Sequence, residues 1–160
     1  MKQNALKRTL FALLVIASLT ICACTVHYVA DYDASMKEEV IEVAKEVDQF
    51  WGALLDTDAS SRKYEFYKKE YNEIETDIRG LVLRNEIRPM NKETTRQAQI
   101  ALELWCEDRR IHKKNDTFSD FEAKSHRKQY LRVFTAMAKG EEAKNISTPN
   151  VSVSPKGETK

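Results

Sequence analysis

Residues 33–55, DASMKEEVIEVAKEVDQFWGALL, carry the pattern on which the fold turns. Met36, Val40, Val43, Ala44, Val47, Phe50, Trp51, Leu54 and Leu55 recur at intervals of three and four. At about 100° per residue they fall on one continuous stripe, as in an amphipathic helix with a single buried face. Asp33 or Ser35 opens this helix, and Ser35 with Glu38 has capping-box spacing, in which hydroxyl and carboxylate each satisfy a backbone N–H. The cluster DTDASS, 56–61, closes it with residues that favour caps and turns. One such stripe cannot be buried alone, so the rest of the chain must supply partners for it.

Three further segments do. Tyr64, Tyr67, Tyr71, Ile74, Ile78 and Leu81 repeat by threes and fours, predicting a second helix from about Ser61 to Ile87 that Pro89 terminates. Asn91 is placed to cap a third, Lys92 to His112. A fourth, Asp120 to Lys144, follows the capping-box pair Ser119 and Glu122 and turns Ala123, Tyr130, Val133, Phe134 and Met137 inward. Gly52 and Gly80 fall inside helices, as sites of close helix approach or as plain propensity defects. The expected fold is all-α, an up-down-up-down four-helix bundle over 33–144. The polar stretch 145–160, NISTPNVSVSPKGETK, is expected to be a disordered tail.

Composition agrees with helix and excludes one class of partner. The 160 residues include only 4 Gly and 3 Pro, and 32% are charged. Without the first 23 residues, which hold Lys2, Lys7 and Arg8 and no acid, 23 basic and 25 acidic side chains remain. A nucleic-acid surface needs a basic excess on one face, and none is visible.

Ahead of the bundle, a short basic segment precedes the apolar run Leu10–Leu19, LFALLVIASL, with small and polar residues after it. That is the layout of a secretory signal. Ile21-Cys22-Ala23-Cys24 resembles a bacterial lipobox, with Ala23 as the small residue before the cysteine and Cys22 as a departure at the middle position. The resemblance implies a leader over 1–23 that is removed, triple acylation of Cys24, and a tether over 24–32. The protein would then hold to the membrane through its lipid and face the periplasm of a bacterial cell envelope. Thr25, rather than Asp, after the cysteine implies the outer membrane on the same resemblance. An uncleaved anchor from Leu10 to Val29 is the competing reading, since about 20 mainly apolar residues span a bilayer, but the apolar run is short for it. A metal or redox pair is the weakest reading of Cys22 and Cys24, because such motifs favour C-x-x-C.

The search for chemistry returns no P-loop, nucleophile elbow, zinc-protease helix or dinucleotide fingerprint, so no catalytic residue and no cofactor is assigned. Asp108 with His112, and Glu122 with His126, stand one helical turn apart, spacing that suits a surface ion pair better than a metal site; no metal is expected. Cys106 reads as a small buried hydrophobe. An enzyme would need His112, His126 and Cys106 to converge. The tyrosine row reads as core, with Phe66 off the stripe as a candidate exposed contact. The polar residues of LRNEIRPMNKETTRQ, 83–97, have plain roles as caps, turn formers or solvated bases. The third helix has two apolar faces, and Ile100, Leu104 and Ile111 form the one offered to a protein partner or to a second copy.

The order YDASMKEEV, then FW, YEFYKKEYNEI, LR and RPMNKETTRQ resembles a family of small uncharacterised proteobacterial lipoproteins over about residues 20–110. It implies a lipid-anchored helical bundle and brings no activity. The expected function is therefore a structural or protein-binding module of the envelope rather than an enzyme, with a small-ligand binder as the alternative.

Overall fold

The structure, a computed structural model, describes residues 29–147. Four helices run α1 Ala34–Asp56, α2 Tyr64–Glu86, α3 Lys92–Asn115 and α4 Asp120–Ser147, with a single 3₁₀ turn at Ala59–Ser61 between α1 and α2. No strand occurs among the described residues. Each helix is antiparallel to the next. The most extensive packing joins α1 to α4 and α2 to α3, and lesser seams join α1 to α2 and α3 to α4. The fold is thus the expected up-down-up-down four-helix bundle. The expected leader, Cys24 and the expected tail beyond Ser147 lie outside the described residues. Among the described helices none is long and apolar enough to cross a membrane.

The predicted stripes make the core. Met36, Val40, Val43, Val47, Phe50, Trp51 and Leu54 from α1 meet Tyr64, Tyr71, Ile74, Ile78 and Leu81 from α2. Ala98, Ala101 and Trp105 of α3 join Ala123, Tyr130, Phe134 and Met137 of α4. At its centre Phe50 packs edge-on against Tyr71 at 4.6 Å and Trp105 at 4.9 Å. Such crossed rings gain contact energy beyond the area they bury.

Helix boundaries differ from expectation where tertiary partners take over a local role. The α1 cap is Asp33, whose carboxylate accepts from the Met36 N–H at 3.1 Å, while Ser35 Oγ donates to that same carboxylate at 2.7 Å. Ser35 is therefore spent on holding Asp33 and not on a capping box with Glu38. α2 starts at Tyr64, three residues late, because Ser61 closes the 3₁₀ turn. Its first N–H is capped from 52 residues away by Asp116 Oδ1 at 3.0 Å. Asn91 precedes α3 but makes no side-chain cap; its amide is turned into the buried cluster described below. α3 runs on to Asn115 and α4 to Ser147, each three residues past the expected end. The Ser119–Glu122 capping box forms: Ser119 N–H and Oγ donate to Glu122 Oε2 at 2.8 and 2.7 Å.

Candidate functional site

Two ends close the bundle. The base holds the start of α1, the α2–α3 turn and the end of α4; the far end holds the α1–α2 and α3–α4 links. At the far end Arg62, 2% exposed, donates from Nε to the Thr57 carbonyl at 2.8 Å and from Nη1 to the Phe118 carbonyl at 2.8 Å. Its Nη2 donates to Asp120 Oδ1 at 2.6 Å, so one guanidinium ties the two links together. His112 lies beneath it, fully buried. His112 Nε2 stands 2.8 Å from the Arg62 carbonyl, which can only accept, so this nitrogen carries the proton. Nδ1 then accepts from the Tyr71 hydroxyl at 3.2 Å. Burial, outweighing the Arg62 hydrogen bond, lowers the imidazole pKa and keeps it neutral.

Asp108, also buried, turns across to α4 instead of along α3 to His112. Its Oδ2 accepts from the Tyr130 hydroxyl at 2.7 Å, and Oδ1 lies 3.1 Å from His126 Nδ1. The His126 ring stacks over Trp51 at 5.1 Å. Burial, then the Asp108 charge, drives the Tyr130 hydroxyl far above its ordinary pKa. With Glu122 spent on its cap, neither one-turn pairing of carboxylate and histidine forms, and no group of three metal-ligand side chains gathers among the described residues. Cys106 is half-buried, and burial followed by the Glu75 charge raises its thiol above the ordinary value, the direction of an inert thiol. His112 and His126 both contact the Phe118 ring, at 4.9 and 5.3 Å between centroids. The constellation at this end serves as a polar filling of the core.

At the base a second buried cluster forms. Glu141, fully buried, accepts two hydrogen bonds from Arg88 at 2.8 and 3.1 Å, one from Lys144 at 2.6 Å and one from the Asp33 N–H at 2.9 Å. Burial works to raise its pKa, but these donors together hold the carboxyl below the usual range. Lys144 also donates to Asn91 Oδ1 at 2.7 Å, and Asn91 Nδ2 donates to Asn85 Oδ1 at 2.7 Å. The polar residues of segment 83–97 thus work largely as locks between elements.

Of the candidate contacts, Phe66 is exposed, at 72%. Ile100 is half-buried, and Leu104 and Ile111 are half-buried and packed against the core. Tyr64 and Tyr71 are buried, while the partly buried Tyr67 donates to Thr57 Oγ1 at 3.0 Å, so the tyrosine row is core as expected.

A groove lies elsewhere, along the α1–α2 seam. It has a volume of about 690 Å³, with Phe50, Ala53 and Ile74 in its floor and Glu46, Glu70, Glu73 and Asp77 on its walls. Desolvation by the groove, then the nearby Asp77 charge, raises the Glu46 pKa. Lys69 pairs with Glu73 at 3.4 Å. Glu73 and Asp77, like charges at i, i+4, both line this groove, but the same spacing recurs at Glu38 and Glu42 and at Glu103 and Glu107, so it does not mark the groove in the sequence. Treating every charge as a solvated outer face passes over it. A smaller groove of about 460 Å³ between α1 and α4 is lined by Val40, Ile41, Ala44, Leu131, Phe134 and Ala138 among others.

Comparison with protein-family models, with curated proteins and with solved structures finds no match to this chain.

Proposed function

We propose that this protein is a lipid-anchored binding module of the bacterial cell envelope, held through Cys24, that receives a basic amphipathic segment of a protein partner in the α1–α2 groove. The observation that carries the docking role is the groove itself: an apolar floor of Phe50, Ala53 and Ile74 flanked by four carboxylates. An amphipathic helix laid in such a groove buries its apolar face on the floor, while its Lys and Arg meet the rim. An open groove between helices suits a peptide better than a small ligand, which needs most of its surface enclosed. The saturated hydrogen bonding of His112 and the raised thiol of Cys106 support a binding role over an enzymatic one. The anchor rests on the lipobox-like Ile21–Cys24 and on the basic and apolar segment before it.

Mass spectrometry of the mature N-terminus tests the anchor: a triacylated Cys24 is expected, and an intact Met1 overturns it. A photo-crosslinking residue at Thr76, on the groove wall, tests the docking. The expected adduct is with a protein whose crosslinked peptide is basic and amphipathic, and the adduct disappears in Glu73→Lys/Asp77→Lys. An adduct indifferent to that charge reversal, with circular dichroism unchanged, overturns the groove assignment.

A further inference from the structure

Four apolar side chains stand exposed at the base of the bundle: Leu83 at 60%, Ile87 at 74%, Met90 at 59% and Val29 at 48%. Leu83 and Ile87 are one turn apart at the end of α2, and Val29 and Met90 line the same shallow hollow. Met90 has φ 57°, in the left-handed region that bulky residues rarely adopt. A glycine or asparagine would take this turn at less cost, yet the chain holds an apolar side chain outward there. Strain of this kind, at a side chain left 59% exposed, points to a use for it.

The incoming chain is held against this same turn. Ala30, buried at 6% exposure, donates its N–H to the Met90 carbonyl at 3.2 Å, and Arg88 donates to the Asp31 carbonyl. Residues 30 and 31, within the expected tether, are therefore pinned across the α2–α3 turn. Cys24 lies six residues before Ala30, so an extended chain reaches at most about 20 Å from this point. The helices are about 35 Å long at 1.5 Å per residue, which leaves the far end of the bundle beyond that reach.

We infer that the α2–α3 turn, with Ile87, Met90 and Val29 at its surface, is a lipid-contacting face that rests in the interfacial layer of the bilayer. This rests on the Cys24-anchored reading and adds an orientation to it: the base faces the membrane, and the far end, with Phe66 and Phe121, points away.

The test uses the full acylated chain on vesicles of brominated phosphatidylcholine, whose bromines quench tryptophan on contact. Trp51 and Trp105 are fully buried and give a constant background. Met90→Trp and, separately, Ile87→Trp are expected to gain emission that is blue-shifted on the vesicles and quenched by the brominated lipid. Phe121→Trp, at a site 81% exposed at the far end, is expected to stay red-shifted and unquenched. Flotation of the chain with the vesicles reads the anchor independently. A chain that floats while both base variants remain unquenched overturns the lipid-contacting face and leaves the anchor standing. Blue-shifted but unquenched emission does the same, because protein then covers the face, from this chain or from a second copy. Equal quenching of Phe121→Trp overturns the orientation. A chain that fails to float overturns the anchor and the face with it.

Discussion

Met90 and Arg62 are single residues whose backbone or side chain carries an outsized share of local cost and gain. Replacing Met90 by Gly relieves the left-handed strain, and the greater freedom of glycine in the unfolded chain takes back part of it. A net stabilisation of about 0.5–1 kcal/mol in urea unfolding is expected. Arg62→Ala acts in the other direction. It strips the carbonyls of Thr57 and Phe118 of their donor and empties a buried site, so a loss of about 3 kcal/mol is expected, read by the same unfolding curves. Neither role was legible in the sequence. Arg62 sits in a run of polar link residues, and only the approach of the α3–α4 link makes it a buried clamp. Asn91 shows the same limit: its position before α3 suggested a cap, but Lys144 and Asn85, distant or buried partners, outbid the local N–H groups for its amide.

Among the elements, the helices themselves were readable, because each stripe repeats over six turns or so and no strand pattern competes with it. Their ends were less so. Ser119 with Glu122 behaves as its spacing suggests, whereas Ser35 turns to Asp33, and α2 takes its cap from Asp116 across the bundle. The interior glycines are now decided. A Cβ on Gly52 would lie 3.8 Å from the Arg127 guanidinium and one on Gly80 3.9 Å from Glu39 Oε1, ordinary contacts with flexible side chains. Gly52→Ala and Gly80→Ala are therefore each expected to stabilise the protein by about 0.5–1 kcal/mol, and the pair additively, in thermal or urea unfolding. A loss at either position would mean that the helices need a closer approach than these contacts show.

For the whole molecule, two buried clusters at opposite ends set how stability responds to acid. His112 has its folded pKa lowered from the ordinary 6.5, and Glu141 from the ordinary 4.5. In both cases the unfolded chain takes up its proton first as pH falls. The stability each contributes is complete above its ordinary value and is lost between that value and the lowered folded one. Melting temperatures are thus expected to decline in two stages, beginning below about pH 6.5 and steepening below about pH 4.5. In His112→Gln the upper stage should be absent; if it persists there, another group is responsible. The sequence held every residue of these clusters but paired them wrongly. Asp108 was matched with His112 by helical spacing, while its partners His126 and Tyr130 depend on how deeply α3 and α4 are rotated toward each other, which no local pattern encodes. The acidic groove was not legible either, because its carboxylates read as part of a solvated outer face until α1 and α2 are set side by side.

The hydrogen bond from the Asp33 N–H to Glu141 joins residues 108 apart in sequence and sets the first turn of α1 beside the last turns of α4. The chain therefore leaves the described fold in both directions from the same end. A load applied between residues 29 and 147 would not stretch the bundle along its axis. It would open α1 from α4 like a zipper, with the Glu141–Arg88–Asp33 junction as the first tooth and Arg62, at the opposite end, as the last to feel the pull. In mechanical terms such a load would meet a clip at its mouth.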